Sequence, residues 1–399
     1  MELAKHELCN GCMACYNSCG KNAIRIEQSK QGFYYPLINQ EVCVTCGNCV
    51  RTCPVLTPPT IYQTEHVKCI GALVKDDAIR LNSSSGGIFS LLAKKYIEGG
   101  GLVCGVAMSS DKTFAEHIIV DNVDELPKLM GSKYLQSYVG GIYKEIKRYL
   151  DNGKKILFSG TPCQVDGLRN YLKKDYTNLL CVDIVCHGVP SPKLWAKYIN
   201  NIKSKYGRDI ETVNFRAKKI SWENFGMEHK NSKDKVYFNP KQKDPYLRMF
   251  FTNLCLNESC YDCKAKGGKW TSDITLGDLW GAASLAPKLS DGKGTSLVII
   301  HTEKGESTFN SILSFIRHES VDYERSVACN ICVEQSVHMP DGREEFFENL
   351  NSKSFDWMKK RYVKRIKKGP KEQLRYLLDK LGILQFVLKI FRGVQSNNK

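Results

Sequence analysis

Eight cysteines stand in the first 53 residues, and their spacing occurs twice. Cys9-x2-Cys12-x2-Cys15-x3-Cys19 returns as Cys43-x2-Cys46-x2-Cys49-x3-Cys53-Pro54. Three closely spaced thiolates on a tight loop suit three corners of one cubane, and the fourth, carried onward by a short helix, reaches the other cluster. By that rule Cys9, Cys12, Cys15 and Cys53 hold one 4Fe–4S cluster, and Cys43, Cys46, Cys49 and Cys19 hold a second. The intervening "AIRIEQSKQGFYYPLIN" reads as two short strands and a turn. Four thiolates also suit tetrahedral zinc, but two successive x2-x2-x3 runs favour iron and sulfide.

The chain has 399 residues and 18 cysteines and opens "MELAKHELC". With no apolar leader there, the expectation is a cytoplasmic chain whose cysteines hold metal, not disulfides. No stretch approaches the roughly 18–20 apolar residues of a membrane span. The net charge of +16 suggests nucleic acid until it is located. From Lys353 onward fourteen Lys/Arg face only Asp356, Glu372 and Asp379, so the preceding residues carry little excess charge. Without interleaved aromatics or a nucleic-acid motif, no nucleic-acid partner is expected.

Three pieces follow: residues 1–57, ending in the Pro/Thr linker "CPVLTPPT"; residues 66–351; and a basic helical tail over 354–399, with a break at Gly369-Pro370. In the middle piece "GGIFSLLAKKYIEGG" and "VGGIYKEIKRYLDNGK" read as helices, and "GLVCGVAM", "HIIVD", "KILFSG" and "LLCVDIVCHG" as strands. The fold class is therefore mixed α/β (α+β) and multidomain, with a small domain in front that resembles the bacterial two-cluster ferredoxins along its whole length, apart from Gly20 where that family usually has proline. Cys163 and Cys186 follow two of those strands, and Cys260-x2-Cys263 forms a CxxC. If the two strands are parallel neighbours, both thiols lie on one sheet edge, where α/β folds place ligands. On the residues alone they remain either ligands or small core hydrophobes.

"NSSSGGIFSLLA", "GSKYLQS", "FSGTPCQVDGLRNYL", "CHGVPSPKLW" and "CYDCKAKGGKWTSDITLGDLWG" resemble, in order over about residues 66–350, the motifs of the beta subunits of the coenzyme F420 hydrogenase/dehydrogenase family. The resemblance implies FAD and a third 4Fe–4S cluster on Cys163, Cys186, Cys260 and Cys263. It also implies electron exchange with a deazaflavin or another small molecule, extending in some members to surface-polysaccharide biosynthesis. Flavin contacts are expected from Ser84, Ser85, Gly86 and Gly87 at a helix N-terminus. Lys133 and Tyr134 are expected as cation and stacking ring, and Gly160 and Thr161 as backbone donors beside Cys163. The alternatives are a plain N-cap for the serines and a solvated lysine. Cys69, Cys104 and Cys181 read as core, Cys255 stays unassigned, and Cys329-x2-Cys332 lacks a second pair to complete a site. The expected activity is that of an iron–sulfur flavin-dependent oxidoreductase with a redox partner protein or small-molecule substrate. The alternative is a non-catalytic electron-transfer subunit. The tail, with Leu377, Leu381, Leu384 and Leu388 on one face, is expected to lie peripherally on the inner face of the membrane; the alternatives are docking on a partner and packing apolar side inward on its own domain.

Overall fold

The structure is a computed structural model that describes residues 2–60, 67–206, 209–233 and 235–363. In the first segment α1 (Ala14–Ser18) and α2 (Asn48–Thr52) each begin inside a cysteine run. They deliver the fourth thiols, Cys19 and Cys53, at their C-caps. Between them β1 (Ile24–Gln28) pairs antiparallel with β2 (Tyr34–Ile38), the two strands and turn that the sequence led us to expect.

The strands beyond are β3 (Lys68–Val74), β4 (Leu102–Met108), β5 (Ala115–Val120), β6 (Ser137–Tyr138), β7 (Ile156–Gly160), β8 (Leu179–Ile184), β9 (Ile210–Ala217), β10 (Gly226–Asn231), β11 (Val236–Pro240), β12 (Ile274–Asp278), β13 (Ser296–Ile300) and β14 (Ile316–Ser320). The helices are α3 (Asp77–Leu81), α4 (Ile88–Glu98), α5 (Leu126–Leu129), α6 (Ile142–Asp151), α7 (Pro162–Leu172), α8 (Pro192–Tyr206), α9 (Pro245–Phe250), α10 (Ala282–Leu285), α11 (Glu303–Asn310), α12 (Tyr323–Cys329), α13 (Arg343–Ser352) and α14 (Phe355–Tyr362). One nine-stranded sheet runs β14-β3-β13-β12-β8-β7-β4-β5-β6, and β9, β10 and β11 form a separate antiparallel meander.

The centre of the large sheet, β12, β8, β7 and β4, is parallel. Its strands are apolar on both sides because helices cover both faces. Leu157, Leu180 and Val182 pack with α4 residues Ile88, Leu91 and Leu92 on one side. Ile156, Phe158, Leu179 and Cys181 pack with Ile146, Val165 and Leu168 of α6 and α7 on the other. Cys69, Cys104 and Cys181 are buried within β3, β4 and β8.

The second cluster of core residues also contains Cys12, Met13 and Ala14. The first segment is therefore built into the larger core and does not hang from its Pro/Thr stretch. Asn17 Nδ2 donates to the Gly140 carbonyl at 2.8 Å, and the Tyr34 amide donates to Gln136 Oε1 at 2.9 Å. Asn170 Nδ2 fixes the Thr57 carbonyl at 2.7 Å. A single compact unit runs from Met1 to Met358. Its far end takes in the start of the expected basic tail, since Phe355 and Met358 are buried. Gly369-Pro370 and the leucines from Leu377 to Leu388 lie outside the described residues. Among the described residues no helix is long and apolar enough to cross a membrane.

Candidate iron–sulfur and flavin sites

Cys9, Cys12, Cys15 and Cys53 line one cavity, whose remaining walls include Leu3, Met13, Pro36 and Val55. This is the four-thiol grouping that the ferredoxin spacing rule demands, drawn from two separate cysteine runs. Burial pushes the Cys9 thiol up to about 11, with Cys53 adding to the shift, and pushes Cys12 and Cys15 up as well. Thiols so placed stay protonated at neutral pH unless bound metal replaces the proton. An apolar cavity walled by four thiols thus fits a cubane. In the second set Cys43 and Cys46 are the thiols acting on Cys49, and Cys19 packs against Cys15, Ile24 and Cys49. Cys46 is exposed. Among the described residues no three or more His, Cys, Asp or Glu side chains converge as they would on a single metal ion.

The strands β7 and β8 are parallel neighbours, in register from Ile156 opposite Leu179 to Gly160 opposite Asp183. Their carboxyl ends therefore share one edge, with β12 beside them. Cys163 lies in the first turn of α7, not in a loop, and Cys186 lies two residues past β8. Burial raises Cys163 well above its usual value, and Cys263, Cys186 and Cys12 add to the shift. Burial lifts Cys186 to about 11 and Cys260 to about 12, each reinforced by its neighbouring thiols. The four residues named from sequence are thus brought together. Among the contacts to their sulfurs are Thr161 Oγ1 at 3.2 Å from Cys163 Sγ, and the Val189 amide donating to Cys260 Sγ at 3.4 Å.

Two further residues at this site escaped the sequence. Lys266 is 8% exposed, donates to the Gln335 carbonyl at 2.9 Å, and its charge opposes the upward shifts of Cys186, Cys260 and Cys263. In "CKAKGGK" nothing marks which of three lysines turns inward. Cys332, left without a partner site by its spacing, lies 3.6 Å from His187 Nδ1, and the other ring nitrogen of His187 meets Asn253 Oδ1 at 2.7 Å. Cys329 stays exposed.

The expected flavin residues divide into two groups. Ser84 Oγ meets Ser132 Oγ at 2.9 Å and accepts the Ser132 amide at 2.7 Å, which brings "NSSSGG" against "GSKYLQS". Next to that junction Lys133 is half-buried and bonded to the carbonyls of Lys128 and Met130, and burial pulls its pKa down to about 7. Tyr134 stacks on Phe250 with ring centroids 4.9 Å apart. The second group turns into the protein. Ser85 Oγ donates to the Thr295 carbonyl, and the Gly86 amide donates to Ser296 Oγ, both at 2.9 Å. A Cβ on Gly86 would stand 2.4 Å from the Ala72 carbonyl oxygen, so this glycine serves helix-to-sheet packing. Gly87, with φ +89°, begins α4 without a side-chain cap. Gly160 is buried against Phe158 and Gln164, and the Thr161 amide is donated to Gln164 Oε1 at 3.0 Å. What Thr161 presents to Cys163 is its hydroxyl. Lys218 was not expected: its ammonium binds the Arg80, Ser85 and Lys293 carbonyls and fastens the serine loop.

Taken together, the α/β scaffold and the grouped cysteines define an iron–sulfur protein of the electron-transfer class. Residues 153–326 match the family formed by the C terminus of the coenzyme F420 hydrogenase/dehydrogenase beta subunit, and residues 8–56 match the 4Fe-4S dicluster domain. Behind the dicluster match the chain thus resembles that family over less than half of its length. It is 26% identical over 236 residues to the F subunit of the F420H2 dehydrogenase of Methanosarcina mazei, covering 55% of this chain and 65% of that protein. It is 24% identical over 319 residues to coenzyme F420-dependent sulfite reductase of Methanocaldococcus jannaschii, covering 69% and 47%. The chain thus spans less than two thirds of either relative. A chain of the F420-reducing NiFe hydrogenase complex from Methanosarcina barkeri superposes with a TM-score of 0.46 at 15% identity, over 68% of this chain and 91% of that one.

Proposed function

We propose that the chain is an iron–sulfur flavoprotein oxidoreductase that holds three 4Fe–4S clusters and FAD. It would exchange electrons between a redox partner protein and a small molecule of the deazaflavin class, the kind named in both relatives. The observation that carries this reading is the meeting of Cys163 and Cys186 at the ends of adjacent parallel strands, beside Cys260, Cys263 and the buried Lys266. When bound, the clusters supply one-electron transfer, and the flavin joins it to two-electron chemistry.

The chain's own residues do the rest. Lys266 offsets negative charge that four thiolates and their cluster would bring into a buried place. Thr161 and Val189 bond to the ligating sulfurs, which tunes a bound cluster's potential. In this reading Ser84, Lys133 and Tyr134 would contact the flavin, a role supported by the meeting of Ser84 with Ser132, and the uncapped start of α4 suits its phosphates. Anaerobic reconstitution should give about twelve iron and twelve sulfide per chain, four per site, with one FAD. Iron near eight would reject the Cys163 site, and zinc without sulfide would reject the reading altogether.

A second reading, an electron-transfer subunit without its own substrate, is favoured by the M. mazei relative, which is named as one subunit of a dehydrogenase. Anaerobic mixing of the isolated chain with reduced coenzyme F420 separates the two. Bleaching of the flavin and cluster bands supports the enzyme, and no reaction without an added partner supports the second reading.

A further inference from the structure

Gly167 stands in the middle of the 11-residue helix α7. A glycine inside a helix costs roughly 1 kcal/mol relative to alanine, so its presence calls for a close contact. That contact is Cys12. A Cβ on Gly167 would stand 2.9 Å from Cys12 Sγ and 3.0 Å from Cys12 Cβ, with Tyr143 Oη behind at 3.3 Å. Gly167 is also four residues after Cys163, so the two share one face of α7, a single turn apart. Cys12 of the ferredoxin-type segment is thereby seated one helical turn from Cys163. Tyr35 of β2 makes a second link, since its hydroxyl donates to Asn257 Oδ1 at 3.4 Å, three residues before Cys260. The Cys43–Cys49 loop faces outward instead: Cys46 is exposed, and Val44 beside it is 57% exposed.

We infer that Gly167 is the junction between the ferredoxin-type segment and the third thiol site, and that it fixes the order of all three. The outer site is Cys19, Cys43, Cys46 and Cys49. The middle site is Cys9, Cys12, Cys15 and Cys53. The inner site is Cys163, Cys186, Cys260 and Cys263. The order rests on the three-cluster reading proposed above. Each exchange moves one electron between neighbouring sites, with no bond made or broken. Any electron passing between the outer site and the flavin side crosses from the middle to the inner site, over the boundary formed by the Cys12–Gly167–Cys163 contact and Tyr35.

Electron paramagnetic resonance of the dithionite-reduced full-length chain tests this. Cys46→Ala, or Cys43→Ala where the first does not accumulate, removes the outer site. The two remaining paramagnets should be adjacent and give broadened, interacting signals. Cys53→Ala removes the middle site and should leave two narrow, independent signals. Gly167→Leu in the Cys46→Ala chain should keep iron near eight while weakening the interaction, and Gly167→Ala should do so to a smaller degree. Independent signals in the Cys46→Ala chain, interacting ones in the Cys53→Ala chain, or an interaction indifferent to both Gly167 substitutions would overturn the junction. Iron near four in both cysteine variants would instead remove the inner site, and with it the functional reading on which the order rests.

Discussion

Asp183, near the end of β8, is 2% exposed and receives a hydrogen bond from the Thr275 hydroxyl, which also meets His301 Nε2 at 2.8 Å. Burial pushes the Asp183 carboxyl up to about 7, and burial pushes His301 down to about 3. Between the ordinary carboxylate value and pH 7 the folded chain holds a proton on Asp183 that the unfolded chain has released. Stability from this residue is therefore whole below that window and falls as pH rises through it. Asp183→Asn removes the titration. Its melting temperature relative to the parent should rise between pH 5 and pH 8, and a difference flat across that range would refute the assignment. At the third site, Cys263→Ala should cost about four of twelve iron per chain. Cys332→Ala should cost none, because Cys332 meets His187 and lies outside the proposed ligand set. Equal losses would mean that Cys332 is a ligand.

The element that aligns this site is the pairing of β12 with β8, and one side chain prepares it. Asp273, fully buried just ahead of β12, accepts the Cys181 amide at 2.7 Å, Thr302 Oγ1 at 2.8 Å and Arg169 Nη2 at 3.2 Å. It thus joins β8, α7 and the start of α11 where the parallel ladder begins at Ile274 opposite Val182. Removing one partner of a buried charged pair costs about 3–5 kcal/mol. Asp273→Ala should lower the unfolding free energy by about that much in chemical denaturation. Asp273→Asn, which keeps acceptor capacity, should cost about 1–3 kcal/mol. If the two substitutions cost the same, the charge contributes nothing and only the acceptor matters.

Across the whole molecule, the main unit extends past the point where the basic stretch begins. Phe355 packs at 5.5 Å from Tyr198, Met358 is fully buried, and Lys197 Nζ donates to the Lys353 carbonyl at 2.6 Å. Of two truncations, the chain ending after Val363 should therefore be the more stable. One ending after Asn351 should lose several kcal/mol, since emptying the space of a buried Phe or Met costs about 2–5 kcal/mol each. Calorimetry on the two truncations decides this, and equal melting temperatures would show that α14 adds nothing to the unit.

The repeat of cysteines was fully legible in the sequence, because thiolate spacing and the reach of a short helix are local properties that any tertiary setting must respect. The helix of α4 and the strands β4, β5, β7 and β8 were legible for the same kind of reason, since periodicity is written residue by residue. Other features depend on which segments meet. The parallel pairing of β7 with β8 placed Cys163 and Cys186 on one edge, a condition the sequence could pose but not answer. No local signal distinguished Lys266 from Lys264, or Cys332 from Cys329, because inward and outward orientation is set by the loops packed around them. Gly86, which reads as a phosphate-loop glycine, is required by a carbonyl of β3, and Gly167, in the middle of α7, is required by Cys12. A glycine's neighbours are absent from its own segment, so only the folded chain shows what its missing side chain makes room for.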